Sequence, residues 1–172
     1  MKRINVEVRC RKQFKKSKLD DENVEAIDVT PAGEDKKFAA LSPSVATGLI
    51  PVPFVDDWSS ECVQGVWEGL KVFEKAGVNY KKFNNVTGKR LKRTVRKFGN
   101  VKGHYGGKNE PLLPLFNARA DILLPAYRYK LENQCKDTVD ALLEIAKKKQ
   151  IVLLDNVVNE DMYDERSISH AQ

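Results

Sequence analysis

The chain has 172 residues, 41% of them hydrophobic and 31% charged, with 30 Lys and Arg against 24 Asp and Glu for a net charge of +6. That length suits one domain with a sizeable core, and the apolar content excludes an intrinsically disordered chain. No run of about 18 apolar residues occurs, and Met1-Lys2-Arg3 leads straight into alternating sequence, so the reading is a cytoplasmic protein with neither a membrane span nor a secretory leader.

Ile4 to Cys10 alternates apolar and polar residues with the two-residue period of a half-buried strand. Arg11 to Asn23 is polar and reads as a loop. Val24 to Thr30 repeats the strand pattern up to Pro31 and Gly33, which predicts an edge hairpin. From Phe38 to Trp58, Pro43, Pro51 and Pro53 interrupt an apolar stretch and forbid both a regular helix and a central strand. The expectation there is an ordered, largely buried loop.

The clearest helix is predicted from Ser59 or Ser60, as a cap, to Gly77, as a terminator. Val63, Val66, Trp67, Leu70 and Phe73 fall on one stripe. A second helix is predicted over Lys89 to Phe98, where six cations crowd nine residues, followed by a glycine-rich basic loop around His104 and Tyr105. Between Leu112 and Lys149 the pattern predicts two helices divided or kinked at Pro125. Ile151 to Asp155 reads as a buried strand, and an acidic tail follows.

The expected fold is α+β: a compact single domain over 1–172 with a mainly helical body and a small sheet of short strands. Within it, 1–37 forms a strand and hairpin region and 38–172 the core. Cys10, Cys62 and Cys135 are odd in number and lack CxxC spacing, so they read as free thiols. His104 and His170 have no cysteine cluster beside them, and neither a metal nor another cofactor is expected.

Three places could carry chemistry. The first is the basic segment with its glycines, where Arg90, Arg93, Lys97, Gly103 and His104 would hold phosphates by charge and backbone amides; the plain alternative is a solvated face. The second is the flank of the first helix, where Gln64, Glu68 and Lys71 fall within about 60° of one another beside Trp67. A partly desolvated lysine there would be a nucleophile and Glu68 its acid/base partner. The plain alternative is an exposed i,i+3 ion pair worth about 0.2–0.5 kcal/mol. The third is Asp155 at the strand end, with Asn159 and Asp161 in the tail. No Walker or dinucleotide-binding glycine motif is present.

The segment Gln64-Gly65-Val66-Trp67-Glu68-Gly69-Leu70-Lys71 resembles the helix of the NADAR family, in which a Glu, an aromatic, a Gln, a small residue and a Lys follow at the same intervals. Gln64 stands where the family has Glu, and Glu68 where it has Gln. The Leu41-Ser42-Pro43 loop, the basic 89–97 segment and Asp155 with Asn159-Glu160-Asp161 follow in the family's order.

The resemblance implies a small α+β N-glycosidase acting on a ribosyl phosphate or an ADP-ribosylated nucleotide or nucleic acid. It would use Lys71 at ribose C1, through a Schiff base on the lysine, and basic residues on the phosphates. The chain is also similar, from Leu41 to His170, to a group of bacterial and bacteriophage proteins that ends in Ser-His-Ala, for which no activity is implied. The rival expectation is a noncatalytic bacterial or bacteriophage module that binds nucleic acid or a host protein through residues 89–108.

Overall fold

The computed structural model describes residues 6–14, 21–166 and 168–170. Ile4 and Asn5 of the first predicted strand, much of the predicted 11–23 loop, and Ser167 and Ala171 near the carboxyl terminus lie outside the described residues. The fold is α+β, with small sheets of short strands. The chain divides into two compact units, one formed by 1–42 with 135–172 and the other by 43–134.

In the first unit, β1 (Val6–Cys10) and β2 (Val24–Asp28) both pair in parallel with β7 (Gln150–Asp155), which lies between them. The predicted hairpin is therefore corrected: β1 and β2 are not neighbours. The reason is visible in β7, whose Ile151, Val152 and Leu154 are buried; a continuous apolar run wants the centre of a sheet, whereas the alternating strands tolerate an edge. The register sets Cys10 beside Asp155. This unit also holds α1 (Lys36–Ala39), capped by the Asp35 carboxylate, and α6 (Lys136–Ala146).

The second unit is built around α2 (Val63–Leu70). Its core gathers Ile50, Val52, Val63, Val66, Leu70, Phe83, Ala118, Ile122 and Ala126. The loop predicted over 38–58 contributes a two-residue strand, β3 (Ile50–Pro51), paired antiparallel with β4 (Ser59–Ser60). Ser60 thus does not cap the helix: its hydroxyl is bonded to the carbonyls of Cys62 and Phe83.

The helix also stops well short of Gly77. At Lys71 the backbone turns extended and becomes β5 (Lys71–Phe73), antiparallel to β6 (Val101–His104). Other segments bond the carbonyls that a longer helix would have used. Asn79 N–H donates to Gly69 O at 2.8 Å and Tyr105 N–H to Leu70 O at 2.9 Å. Phe73 is buried as the stripe predicts, but from a strand.

Two glycines on one side of α2 set what packs there. A Cβ at Gly69 would come within 2.1 Å of Phe83 Cε1, and one at Gly65 within 2.7 Å of the Lys82 carbonyl. The tight turn over Tyr80–Lys82 and the Phe83 ring therefore seat directly on the helix.

Of the helix predicted over Lys89 to Phe98 only one turn forms, α3 (Val95–Phe98), because Arg90 adopts a left-handed conformation (φ 56°) and Arg93 turns inward. The glycine loop around His104 is likewise corrected: Gly103 and His104 belong to β6. Gly103, at φ 148°, leaves room for the Leu113 carbonyl, which a Cβ would meet at 2.8 Å. Pro125 does not divide the following helix. The run passes from α4 (Leu115–Ala118) through a wide π-type turn (Arg119–Leu123) into α5 (Leu124–Asn133), and the wide turn falls just before the proline, which has no N–H for the carbonyl four residues back. The break comes instead at Gln134, whose side chain is bonded to Thr47 and Leu49.

Candidate functional site

On α2 the sequence pattern delivers one carboxylate to the interior. Glu68 is 2% exposed, and three groups donate to it: Lys71 Nζ to Oε1 at 2.7 Å, Arg93 N–H to Oε2 at 2.8 Å, and Gln64 Nε2 to Oε1 at 3.4 Å. Lys71 begins the strand one turn further on and retains 14% of its side-chain surface. The pair is thus neither the exposed ion pair of an ordinary helix face nor sealed from solvent at the amine. Its Coulomb attraction acts where water screens poorly.

Gln64 explains why the acid sits at 68. Residues four apart on a helix share a face, and two carboxylates there would repel; an amide at 64 donates instead.

The aromatic Trp67 closes the other side. Its ring lies 5.7 Å from Lys71 Nζ, and the His104 imidazole stacks on it with ring centroids 3.9 Å apart. His104 pairs across the β5–β6 ladder with Lys71 and is 1% exposed, with no hydrogen-bond partner at either ring nitrogen among the described residues. Burial, aided by the Lys71 charge, pushes its pKa down to about 3, so the ring is neutral at physiological pH. A neutral imidazole does not attract a phosphate by charge.

Arg93, expected to hold a phosphate, is buried. Its guanidinium donates to the carbonyls of Glu68, Lys71 and Gly77 at 3.3, 2.6 and 2.9 Å and stacks against Phe73 and Phe98. A cation bonded to carbonyls at the carboxyl end of α2 stabilises that end of the helix and fixes the start of β5, and with it Lys71. Arg93 therefore positions the pair. Arg90 and Lys97 are exposed, and Gly103 serves the backbone approach described above.

Lys82, which the sequence reading passed over, belongs with this group. Its ammonium donates to the Arg90 carbonyl. Burial pushes it below the usual lysine value, with Glu68 opposing and the charges of Arg93 and Lys97 adding to the push. Its only sequence signal was its place in the turn that seats on Gly65 and Gly69. One carboxylate set against Lys71, Arg93 and Lys82 leaves an excess of positive charge, the environment an anionic ligand suits.

The tail residues make their contacts within the first unit. Asp155, 3% exposed, belongs to the first unit, where Ser169 Oγ donates to its Oδ2 at 2.5 Å and His170 Nδ1 lies 3.1 Å from the same oxygen. Burial alone would raise its pKa, but the contacts with His170, Ser169 and the Asn156 amide hold it below the usual aspartate value. Asn159 Oδ1 accepts from Asp161 N–H, and Asp161 Oδ1 from Tyr163 N–H, as turns in the same unit. Cys10, Cys62 and Cys135 form no disulfide among the described residues, and Cys62, raised by burial, is a poor nucleophile. Among the described residues no three His, Cys, Asp or Glu gather as metal ligands, and no helix is long and apolar enough to cross a membrane.

The chain belongs to a family of unknown function, DUF6939, whose model matches residues 9–172. No curated protein and no solved structure matches it.

Proposed function

We propose that this member of the DUF6939 family is an N-glycosidase-like hydrolase acting on a ribosyl phosphate or on an ADP-ribosylated nucleotide or nucleic acid. The observation that carries the reading is the Lys71–Glu68 contact at 2.7 Å between a buried carboxylate and a mostly covered amine that still meets solvent. Transfer of one proton to Glu68 frees the Lys71 lone pair, which bonds to ribose C1 as the bond from C1 to the base nitrogen breaks. The electron pair leaves on that nitrogen, and Glu68 returns the proton to it. The C1–O4 bond then breaks as a proton passes from the Lys71 nitrogen to O4, which leaves a protonated imine on Lys71; water adds to C1, the C1–N bond breaks, and the sugar phosphate leaves as its aldehyde with the lysine regenerated. Gln64 and the Arg93 amide hold the Glu68 carboxylate in place throughout, and Trp67 offers an apolar wall.

Incubation with ribosylated pyrimidines, free NAD and ADP-ribosylated guanosine DNA, read by mass spectrometry, tests the activity directly. Lys71→Ala is expected to abolish release of the base or of ADP-ribose, and unchanged turnover would remove the proposal. Reduction with borohydride during turnover is expected to trap the sugar on Lys71. Three cysteines without a disulfide among the described residues fit a reducing cytoplasmic location.

A second reading, a noncatalytic binding module, draws on a different observation: Lys89, Arg90, Lys92, Arg96 and Lys97 are exposed and make no ion pair among the described residues. It predicts binding that falls steeply with salt and no hydrolysis.

A further inference from the structure

Between Glu74 and Glu110 the sequence holds eleven Lys and Arg and no Asp or Glu. Folding does little to neutralise them. Arg93 goes inward and Lys102 meets Glu74, while the five cations of 89–97 named above stay in solvent. The tract is knitted into one region, since Lys82 donates to the Arg90 carbonyl, Asn85 to the Lys89 carbonyl and the Lys75 amide to the Phe98 carbonyl. Like charges held together without counter-charges repel, and a polyanion relieves that cost in proportion to the phosphates it brings.

A second, chemically different feature adjoins the band. Trp58 and Tyr80 are 38% and 45% exposed, and their rings pack 4.7 Å apart over Phe83. Tyr80 opens the same tight turn that carries Lys81 and Lys82. Aromatic faces beside cations that track a backbone are what unpaired bases require, because each base offers a flat face only when it is not already stacked in a duplex.

We propose that the Trp58–Tyr80 platform and the exposed cations Lys81, Lys89, Arg90, Lys92 and Arg96 form a binding surface for single-stranded nucleic acid. Phosphates lie along the cations, and one or two bases stack on the aromatic pair. Strand binding stands apart from the glycosidase reading; only the further claim that the bound strand carries the scissile bond rests on it. On that claim the substrate is a modified polynucleotide and not a free nucleotide.

The test is fluorescence anisotropy of the full chain with a labelled oligothymidylate of about 20 nucleotides and with a duplex of equal length, each titrated at several salt concentrations. The single strand is expected to bind more tightly than the duplex. In Lys92→Gln with Arg96→Gln, the slope of log affinity against log salt should become shallower by about 1.4, for two lost phosphate contacts. Tyr80→Ala should weaken binding by roughly 5- to 140-fold, the value of one stacked base. A duplex bound as tightly as the strand, or a salt slope untouched by the paired Gln variants, overturns the proposal. Lys71→Ala separates the two readings: retained strand binding with lost hydrolysis supports both. Retained binding with undiminished hydrolysis removes Lys71 from the chemistry and leaves this surface in place.

Discussion

Two buried carboxylates, one in each unit, show how little burial alone says about role. Asp155 and Glu68 are 3% and 2% exposed and each sits against a basic side chain. Around Asp155 every described partner closes the fold on itself. His170 Nδ1 meets Asp155 while its Nε2 meets the Val29 carbonyl, and the Ser169 hydroxyl takes the same carboxylate, so the contacts tie the tail to the end of β7. Around Glu68 the partners hold the acid, but the set is not closed: Lys71 keeps an exposed edge, and the imidazole paired with it across the ladder has nitrogens without partners among the described residues. The first carboxylate is a latch, whereas the second is paired with an amine that still meets solvent. Buried polar groups left without partners cost about 1–3 kcal/mol each.

The comparison breaks most sharply under isosteric substitution. Glu68→Gln keeps the shape and removes the proton carrier, and turnover is expected to fall by about 10²- to 10⁴-fold with circular dichroism unchanged. Asp155→Asn should leave turnover as it is. Equal kinetic losses in the two variants would erase the distinction.

A smaller effect tests how Glu68 is placed. Gly69→Ala drives a methyl group into the Phe83 ring, and a cost of about 1–3 kcal/mol is expected from chemical denaturation. Gly77→Ala, with open space around its Cβ, should lie near zero and serves as the control.

The smallest effect concerns pH. The Asp155 carboxyl is held below its usual value of 3.8 in the folded state, so its contribution is present above that value and fades as pH falls through the lower, folded one. The melting temperature of the native protein should therefore drop on acidification below about pH 5 by more than that of Asp155→Asn. Parallel pH profiles for the two proteins would show that the latch carries no stability.

Much of the architecture was legible from local pattern. The stripe Val63, Val66, Trp67 and Leu70 is a helix face, Ile151 to Asp155 is a strand, and the 3.6-residue period correctly put Gln64, Glu68 and Lys71 together. These depend on side chains a few residues apart, which any sequence displays. The boundaries were not legible. Lys71 leaves the helix because Asn79, Arg93 and Tyr105 bond the carbonyls at its end, and none of the three lies near it in sequence.

The same limit governed the charges. That the chain would carry a concentrated positive tract followed from the sequence alone, since no folding can supply acids to a stretch of 35 residues that has none. Which of those cations would face outward did not follow. Arg93 and Lys92 are neighbours of like charge, yet Arg93 is buried against carbonyls and aromatic rings while Lys92 meets water. His104 sits in a glycine-rich segment that reads as loop, and only its pairing with Lys71 across two strands turns it into a buried neutral ring. Composition sets how much charge a protein must place; long-range hydrogen bonds and packing decide where each one goes, because only they bring distant backbone to a side chain.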